Sequence, residues 1–381
     1  MESVIPKYVR PIAEIDDPKN LMEYWEEALE AFDKKEYKKT IIAVINYINP
    51  NLLQNKNLDN DIKIVQMQGS AEIIVEITNI KFSVKAPFLR ITEKTNKVAL
   101  LRKVAEINFN PLRLEQIHLR NNELWFEYEM PIELTHPNKL YDLLRNVAVF
   151  ADDYDDLFIS NYKAEFYKPP AYTQLSESEK EQAWKQISDI FEDYENFSLS
   201  FKKKRLDDFV WDLVVISLLK ISNMPYVHGK LRTDLYKHLS ILFDTGLDIS
   251  YKIDKGVNYI KRLMQTQKED LLKNLYHTTY FISLKKRSSP QIISDRLRDD
   301  KETVLDYIRD ENYFNLVFYL QFTFLKLMYD YNLEEHYKQA IYQALEEVSY
   351  MDYEKGSIVL LNLYYEMLND SLITEDEENN E

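Results

Sequence analysis

The chain is 381 residues long and 45% hydrophobic, and it carries 48 Lys+Arg against 64 Asp+Glu for a formal charge of −16. That length exceeds the roughly 250 to 300 residues one core organises, so two domains are expected, and the negative charge opposes binding of nucleic acid or an anionic membrane through the whole surface. The absence of cysteine excludes disulfides and thiolate chemistry and makes a reducing cytoplasm the easiest home.

Met1 to Arg10 contains no apolar run resembling a secretory signal. Asp17-Pro18 reads as a helix N-cap followed by proline at the first helical position, where the missing N–H costs nothing. Leu21, Tyr24, Trp25, Ala28, Leu29 and Phe32 then recur at three and four. After the polar run Asp33 to Glu36 the stripe resumes through Ile41, Ile42, Val44 and Ile45 until Asn49-Pro50, so one broken helix or two short ones are predicted.

A period of two begins at Ile62. With Gly69-Ser70 as a turn, Ile62 faces Ile77 and Ile64 faces Val75. With Thr78-Asn79 as the next turn, Glu76 faces Lys81, Glu72 faces Lys85, Val75 faces Phe82 and Ile73 faces Val84. Three antiparallel strands result, apolar on one face and charge-paired on the other, with Pro87 ending the third. Lys97 to Phe109 returns to helical spacing. A second hairpin turns on Asn121-Asn122, residues that tolerate positive φ, and pairs Arg120 with Glu123, Leu119 with Leu124, His118 with Trp125 and Ile117 with Phe126. Thr135-His136-Pro137 restarts a helix whose stripe is Leu140, Leu143, Leu144, Val147, Phe150, Tyr154 and Phe158. The order helix, three strands, helix, two strands, helix defines an α+β domain with an antiparallel sheet over residues 1–168.

Lys168-Pro169-Pro170 marks the boundary, because consecutive prolines exclude helix. From 172 to 370 the helical period dominates, opening on a capping box of Ser176 and Glu179. An all-α domain of about seven to nine helices with no sheet of its own is expected there. Phe209, Leu213, Ile216 and Leu219 carry the spacing, as do Leu316, Tyr319, Leu320 and Phe324. Tyr313 to Met328 is the most apolar stretch, but with Asn315, Gln321 and Lys326 it falls short of the roughly 20 apolar residues of a membrane span and reads as a buried helix. Residues 371–381 form an acidic tail expected to fray into solvent.

Little catalytic chemistry is written on this frame. His118, His136, His228, His238, His277 and His336 show no spacing that puts two metal ligands on one helical face. Neither GxxxxGK nor GxGxxG occurs, so no metal, nucleotide or other cofactor is expected. Asp152, Asp153, Asp155 and Asp156 lack the EF-hand pattern and read as a solvated helical face. Lys202-Lys203-Lys204-Arg205 and Lys285-Lys286-Arg287 fall at predicted helix ends, where cations are ordinary. Core packing explains most of the 28 tyrosines, with hydroxyls reaching solvent, and aromatics with one wet end also suit recognition surfaces.

The order of elements, the stretch Val98-Ala99-Leu100-Leu101-Arg102-Lys103-Val104-Ala105-Glu106-Ile107-Asn108, the hairpin ending Trp125-Phe126-Glu127-Tyr128-Glu129 and the closing Asp152-Asp153-Tyr154-Asp155-Asp156 together resemble the YbjN family, whose fold is similar to that of class I type III secretion chaperones. The resemblance covers roughly Asp17 to Lys168. It implies a bacterial α+β domain that often dimerises, binds proteins or segments of them, and brings no catalytic residues; the long helical half departs from those chaperones.

The reading is a non-catalytic protein-binding module acting as chaperone, adaptor or regulator, with a protein client or a second copy of itself as partner, and with neither nucleic acid nor membrane insertion. Val65, Met67 and Ile74, on the sheet face opposite the main apolar set, are the candidate partner-binding residues. The rival readings are an enzyme with a site at the domain junction, recognisable by convergent carboxylates or histidines in a pocket, and a structural subunit of a larger assembly.

Overall fold

The computed structural model describes residues 4–14, 17–170, 172–204, 209–370 and 372, apart from the side chains of 202–204. Of the features read from sequence, the Lys202 to Arg205 cluster and, Leu372 apart, the acidic tail 371–381 lie outside the described residues.

The first part is α+β. It runs α1 (Met22–Asp33), α2 (Tyr37–Ile48), β1 (Ile62–Gln68), β2 (Ala71–Ile77), β3 (Lys81–Arg90), α3 (Lys97–Phe109), β4 (Gln116–Arg120), β5 (Glu123–Pro131), α4 (Pro137–Tyr162) and β6 (Glu165–Phe166). The strands form one antiparallel sheet in the order β1-β2-β3-β5-β4, with β6 beside the far end of β3. Helix α4 lies along its apolar face, touching β1, β2, β3 and β5.

Period-two patterning placed the first and last hairpins in register. Ile62 faces Ile77 and Ile64 faces Val75, while Arg120 faces Glu123 and His118 faces Trp125 across a turn in which Asn121 and Asn122 both have positive φ. The middle hairpin differs by two residues. Thr78 N–H donates to the Lys81 carbonyl at 2.9 Å and its hydroxyl accepts from Lys81 N–H at 3.0 Å, closing a four-residue turn. Ile77 therefore faces Phe82 and Glu76 faces Ser83. Because the shift is even, each side chain keeps its face, but the ion pairs change. Glu76 lies between Lys63 at 3.0 Å and Lys85 at 3.1 Å, Lys81 pairs with Glu129, and Glu72 with Lys168. Nor does Pro87 end β3, because a bulge between Pro87 and Leu89 relieves the ladder there.

The helix expected at Asp17-Pro18 begins at Met22 instead. Asp17 accepts from the Ser283 hydroxyl at 3.0 Å and the Pro18 carbonyl from the Asn332 amide at 2.9 Å, so this stretch is held against the second half of the chain rather than coiled.

The second half is helical: α5 (Glu177–Lys204), α6 (Val210–Ser222), α7 (Gly229–Phe243), α8 (Ile249–Met264), α9 (Lys268–Leu272), α10 (Pro290–Asp299), α11 (Lys301–Arg309), α12 (Tyr313–Asp330), α13 (Glu335–Glu347) and α14 (Tyr353–Leu368). Ser176 and Glu179 form the expected capping box, at 2.7 and 3.3 Å. Helices α6 and α12 are buried along most of their length, and no helix among the described residues is long and apolar enough to cross a membrane. The expectation of no sheet is corrected by two ladders two residues long. β7 (Thr173–Gln174) pairs with β8 (Tyr276–His277), and β9 (Lys286–Arg287) with β10 (Tyr331–Asn332). Lys285-Lys286-Arg287 thus lies at a strand rather than at a helix end.

The buried apolar residues form two clusters that trade members. Ile5 and Tyr8, from the first residues described, sit in the helical cluster, whereas Phe281 and Ile282 sit in the α+β cluster, both fully buried. Phe281→Ala should therefore lower stability by about 3–5 kcal/mol, the usual range for emptying a buried aromatic site. Urea unfolding of the full chain measures it, and a loss below about 1 kcal/mol would remove Phe281 from the core.

Candidate functional site

Two regions concentrate unusual surface or charge, and they meet at the Gly69-Ser70 turn. The first is the sheet face away from α4. Val65 and Ile74 stand opposite one another across β1 and β2, with Met67 two residues along. Val65 is 49% exposed, Met67 and Ile74 are half-buried, and none packs into either apolar cluster. The charges around them are paired: Glu76 with Lys63 and Lys85, Glu72 with Lys168, Arg120 with Glu127. Beyond these, Trp125 meets Tyr167 edge-on at 5.3 Å. Strand β1 is a sheet edge, paired among the described residues with β2 alone. The face thus offers a small apolar patch within neutralised charge, beside a row of free backbone groups.

The second region corrects the reading of the acidic run. Asp152 and Asp155 are buried, at 5% and 1% exposure, not solvated. They lie where α4 is overlaid by the β1–β2 turn and by the start of α7. Ser70 donates its backbone N–H to Asp152 at 2.8 Å and its hydroxyl to Asp152 at 2.9 Å and to Asp155. Arg232, in the first turns of α7, donates to Asp152 at 2.6 Å and Asp153 at 2.7 Å. Gly69 and Gly229, two of the chain's five glycines, take positive φ there. A Cβ on Gly69 would overlap the Asp152 carboxylate, and one on Gly229 would stand 2.8 Å from the Asp156 oxygen.

A buried aromatic group completes this junction. Tyr276 stacks on His228 at 4.5 Å and on Tyr172 at 4.0 Å, and the Tyr280 hydroxyl meets His228 Nδ1 at 3.0 Å. Burial, and then the Arg232 cation, push His228 down to about 3. Burial and the neighbouring aspartates push Asp155 well above the usual carboxylate range and Asp156 up to about 6. Thr278 donates its hydroxyl to the Gly69 carbonyl at 2.6 Å, and Gly69 N–H donates to Thr279 at 3.1 Å, so the turn is stitched to the helical half from both sides.

Carboxylates and a histidine with displaced pKa values therefore do converge between the two halves, but around packed atoms: no methyl group fits at either glycine. Among the described residues no three His, Asp or Glu side chains are arranged to hold a metal ion. Sequence reasoning missed Ser70, His228, Arg232 and Tyr280 because their partners are distant along the chain. The available signal was the placing of two scarce glycines, one of them beside a serine. No protein-family model matches this chain, and no curated protein does.

Arg232→Met strands Asp152 and Asp153 without a cation and should lower stability by about 3–5 kcal/mol, the range for removing one partner of a buried ion pair. Urea titration at neutral pH measures it. For Asp156 the sign follows from its raised pKa: its contribution is present below pH 3.8 and is lost as pH rises through about 6. Asp156→Asn should accordingly melt above wild type at pH 8, with the gap closing toward pH 4. A gap constant across that range would mean that Asp156 is not perturbed.

Proposed function

We propose that this protein is a non-catalytic protein-binding module, acting as a chaperone, adaptor or regulator, that lays a partner segment on the open sheet face along β1. The observation that carries the reading is the exposed Val65 beside the half-buried Ile74, on the sheet face away from α4 and outside both apolar clusters. Exposed aliphatic side chains flanked by an unpaired edge supply both elements of strand addition: backbone groups for affinity and alternating pockets for selectivity. The paired charges around the patch reduce competition for a polar or apolar segment, since no bare cation or anion there awaits a specific counter-charge. The resemblance to the YbjN family supports the same class of activity and includes a second copy of the chain among its partners. The junction supports it differently. Its charged groups are spent on one another in a packed site, which fixes the sheet against the helical half instead of receiving a substrate.

The test is suppression of aggregation of a chemically denatured model protein on dilution. Wild type should suppress it near stoichiometric ratio, and the double variant Val65→Asp, Met67→Asp should lose most of that effect with a melting temperature within about 2 °C of wild type, because a charge on an uncovered face costs little. Unchanged suppression by the variant, or turnover of a small molecule that depends on Asp152 or His228, would overturn the proposal.

A further inference from the structure

Residues 4–14 form no helix and run along a groove of the helical half, Val4 bridged to Asp352, with α5 and α6 on one side and α13 and the α13–α14 connection on the other. Pro6 and Pro11 favour extended backbone and need no hydrogen-bond acceptor. The main chain of this segment is read largely by side chains. Asp193 accepts Lys7 N–H at 2.8 Å, Lys220 donates to the Lys7 carbonyl at 2.6 Å, Ser349 accepts Tyr8 N–H at 2.9 Å, Glu346 accepts Arg10 N–H at 3.1 Å, and Gln186 donates to the Arg10 carbonyl at 2.6 Å. Gln186 and Lys220 are themselves buried, at 7% exposure each.

Four of its side chains, those of Ile5, Lys7, Tyr8 and Arg10, find fitted places. Ile5 is fully buried over Gly356, where a Cβ would overlap it. Lys7 pairs with Asp189 at 2.9 Å, and Tyr8 stacks on Tyr342 at 6.3 Å. Arg10 grips Glu346 through two nitrogens at 2.9 and 2.7 Å and reaches Gln339 at 3.1 Å. The fit is looser in the middle: Val9 is 38% exposed, and a gap of about 20 Å³ lies beside Lys7, bordered by Asp189, Asp193, Lys220 and Met224. Lys220 donates there to a main-chain carbonyl, and burial lowers it to about 8.

We propose that this groove is a receptor for extended segments of partner proteins with an aliphatic residue, a lysine two positions on, a tyrosine three on and an arginine five on, and that residues 4–14 occupy it in cis as a displaceable competitor. Main-chain recognition by fixed side chains accepts any extended segment; the Gly356 seat and the Glu346 clamp select among them. This surface is separate from the sheet face, so either proposal can fail without the other.

The probe is a fluorescent synthetic peptide of residues Val4 to Glu14, titrated into the full chain. The cis segment lowers the fraction of open grooves and so weakens apparent affinity. Ile5→Asp with Arg10→Glu, made in the chain but not in the peptide, should tighten peptide binding by about tenfold or more by freeing the groove. Adding Glu346→Arg should abolish it. A folded double variant that binds no peptide, or binds it equally well with Glu346→Arg, overturns the proposal. If the double variant does not fold, a chain with a protease site between Glu14 and Asp17 is folded intact and then cut. Exchange of the cut segment for labelled peptide, followed by mass spectrometry, supports the proposal. A cut segment that never exchanges, or whose release unfolds the helices, makes it a fixed structural strap and overturns the proposal.

Discussion

The seam between the two halves is built around one cation, its side chain only 16% exposed. Arg232, in the first turns of α7, pairs with Asp152 and Asp153 on α4 where the sheet and the helices meet. Removing carboxylates from water is costly unless they are paired and hydrogen-bonded. Here the pairing comes from the helical half and the hydrogen bonds from Ser70 in the sheet. Each half supplies what the other needs, so this arrangement requires both to be present. The two glycines follow from the same constraint, because backbone must approach carboxylate more closely than any side chain would permit.

That weld explains why the other sheet face can stay open. A sheet with one bare face and an unpaired edge invites non-specific pairing. In this chain the ion pairs across β1, β2 and β3 keep the face hydrated around its small apolar centre. The far side of the sheet is fixed by α4, and α4 by α7. A face held this way keeps one geometry, which on the proposed reading limits the entropy lost when a partner orders on it.

The sequence revealed some of this and concealed the rest for physical reasons. Hairpins with a buried face announce themselves, since alternation fixes which residues point inward. It does not separate two registers that differ by two residues, and the Thr78 turn fell into that gap: both registers bury Ile73, Val75 and Phe82 and both offer Glu76 a lysine. The acidic run of α4 looked solvated because its counter-charge lies 80 positions away on another helix, beyond any local pattern. Residues 4–14 carried no periodic signal, as an extended strap read by side chains has none. Val65, Met67 and Ile74 were legible as the opposite face of β1 and β2, and that is where they lie.

The exchange of core members between the halves also bears on synthesis. Ile5 and Tyr8 are made more than 300 residues before their seats, which are formed by Ser349, Gly356 and Tyr342. Phe281 and Ile282 close the sheet core long after its strands have appeared. Neither core can be completed in the order of translation. The nascent chain must hold the sheet core unfinished until Phe281 and Ile282 emerge, and the Ile5 and Tyr8 segment uncovered until α13 and α14 do.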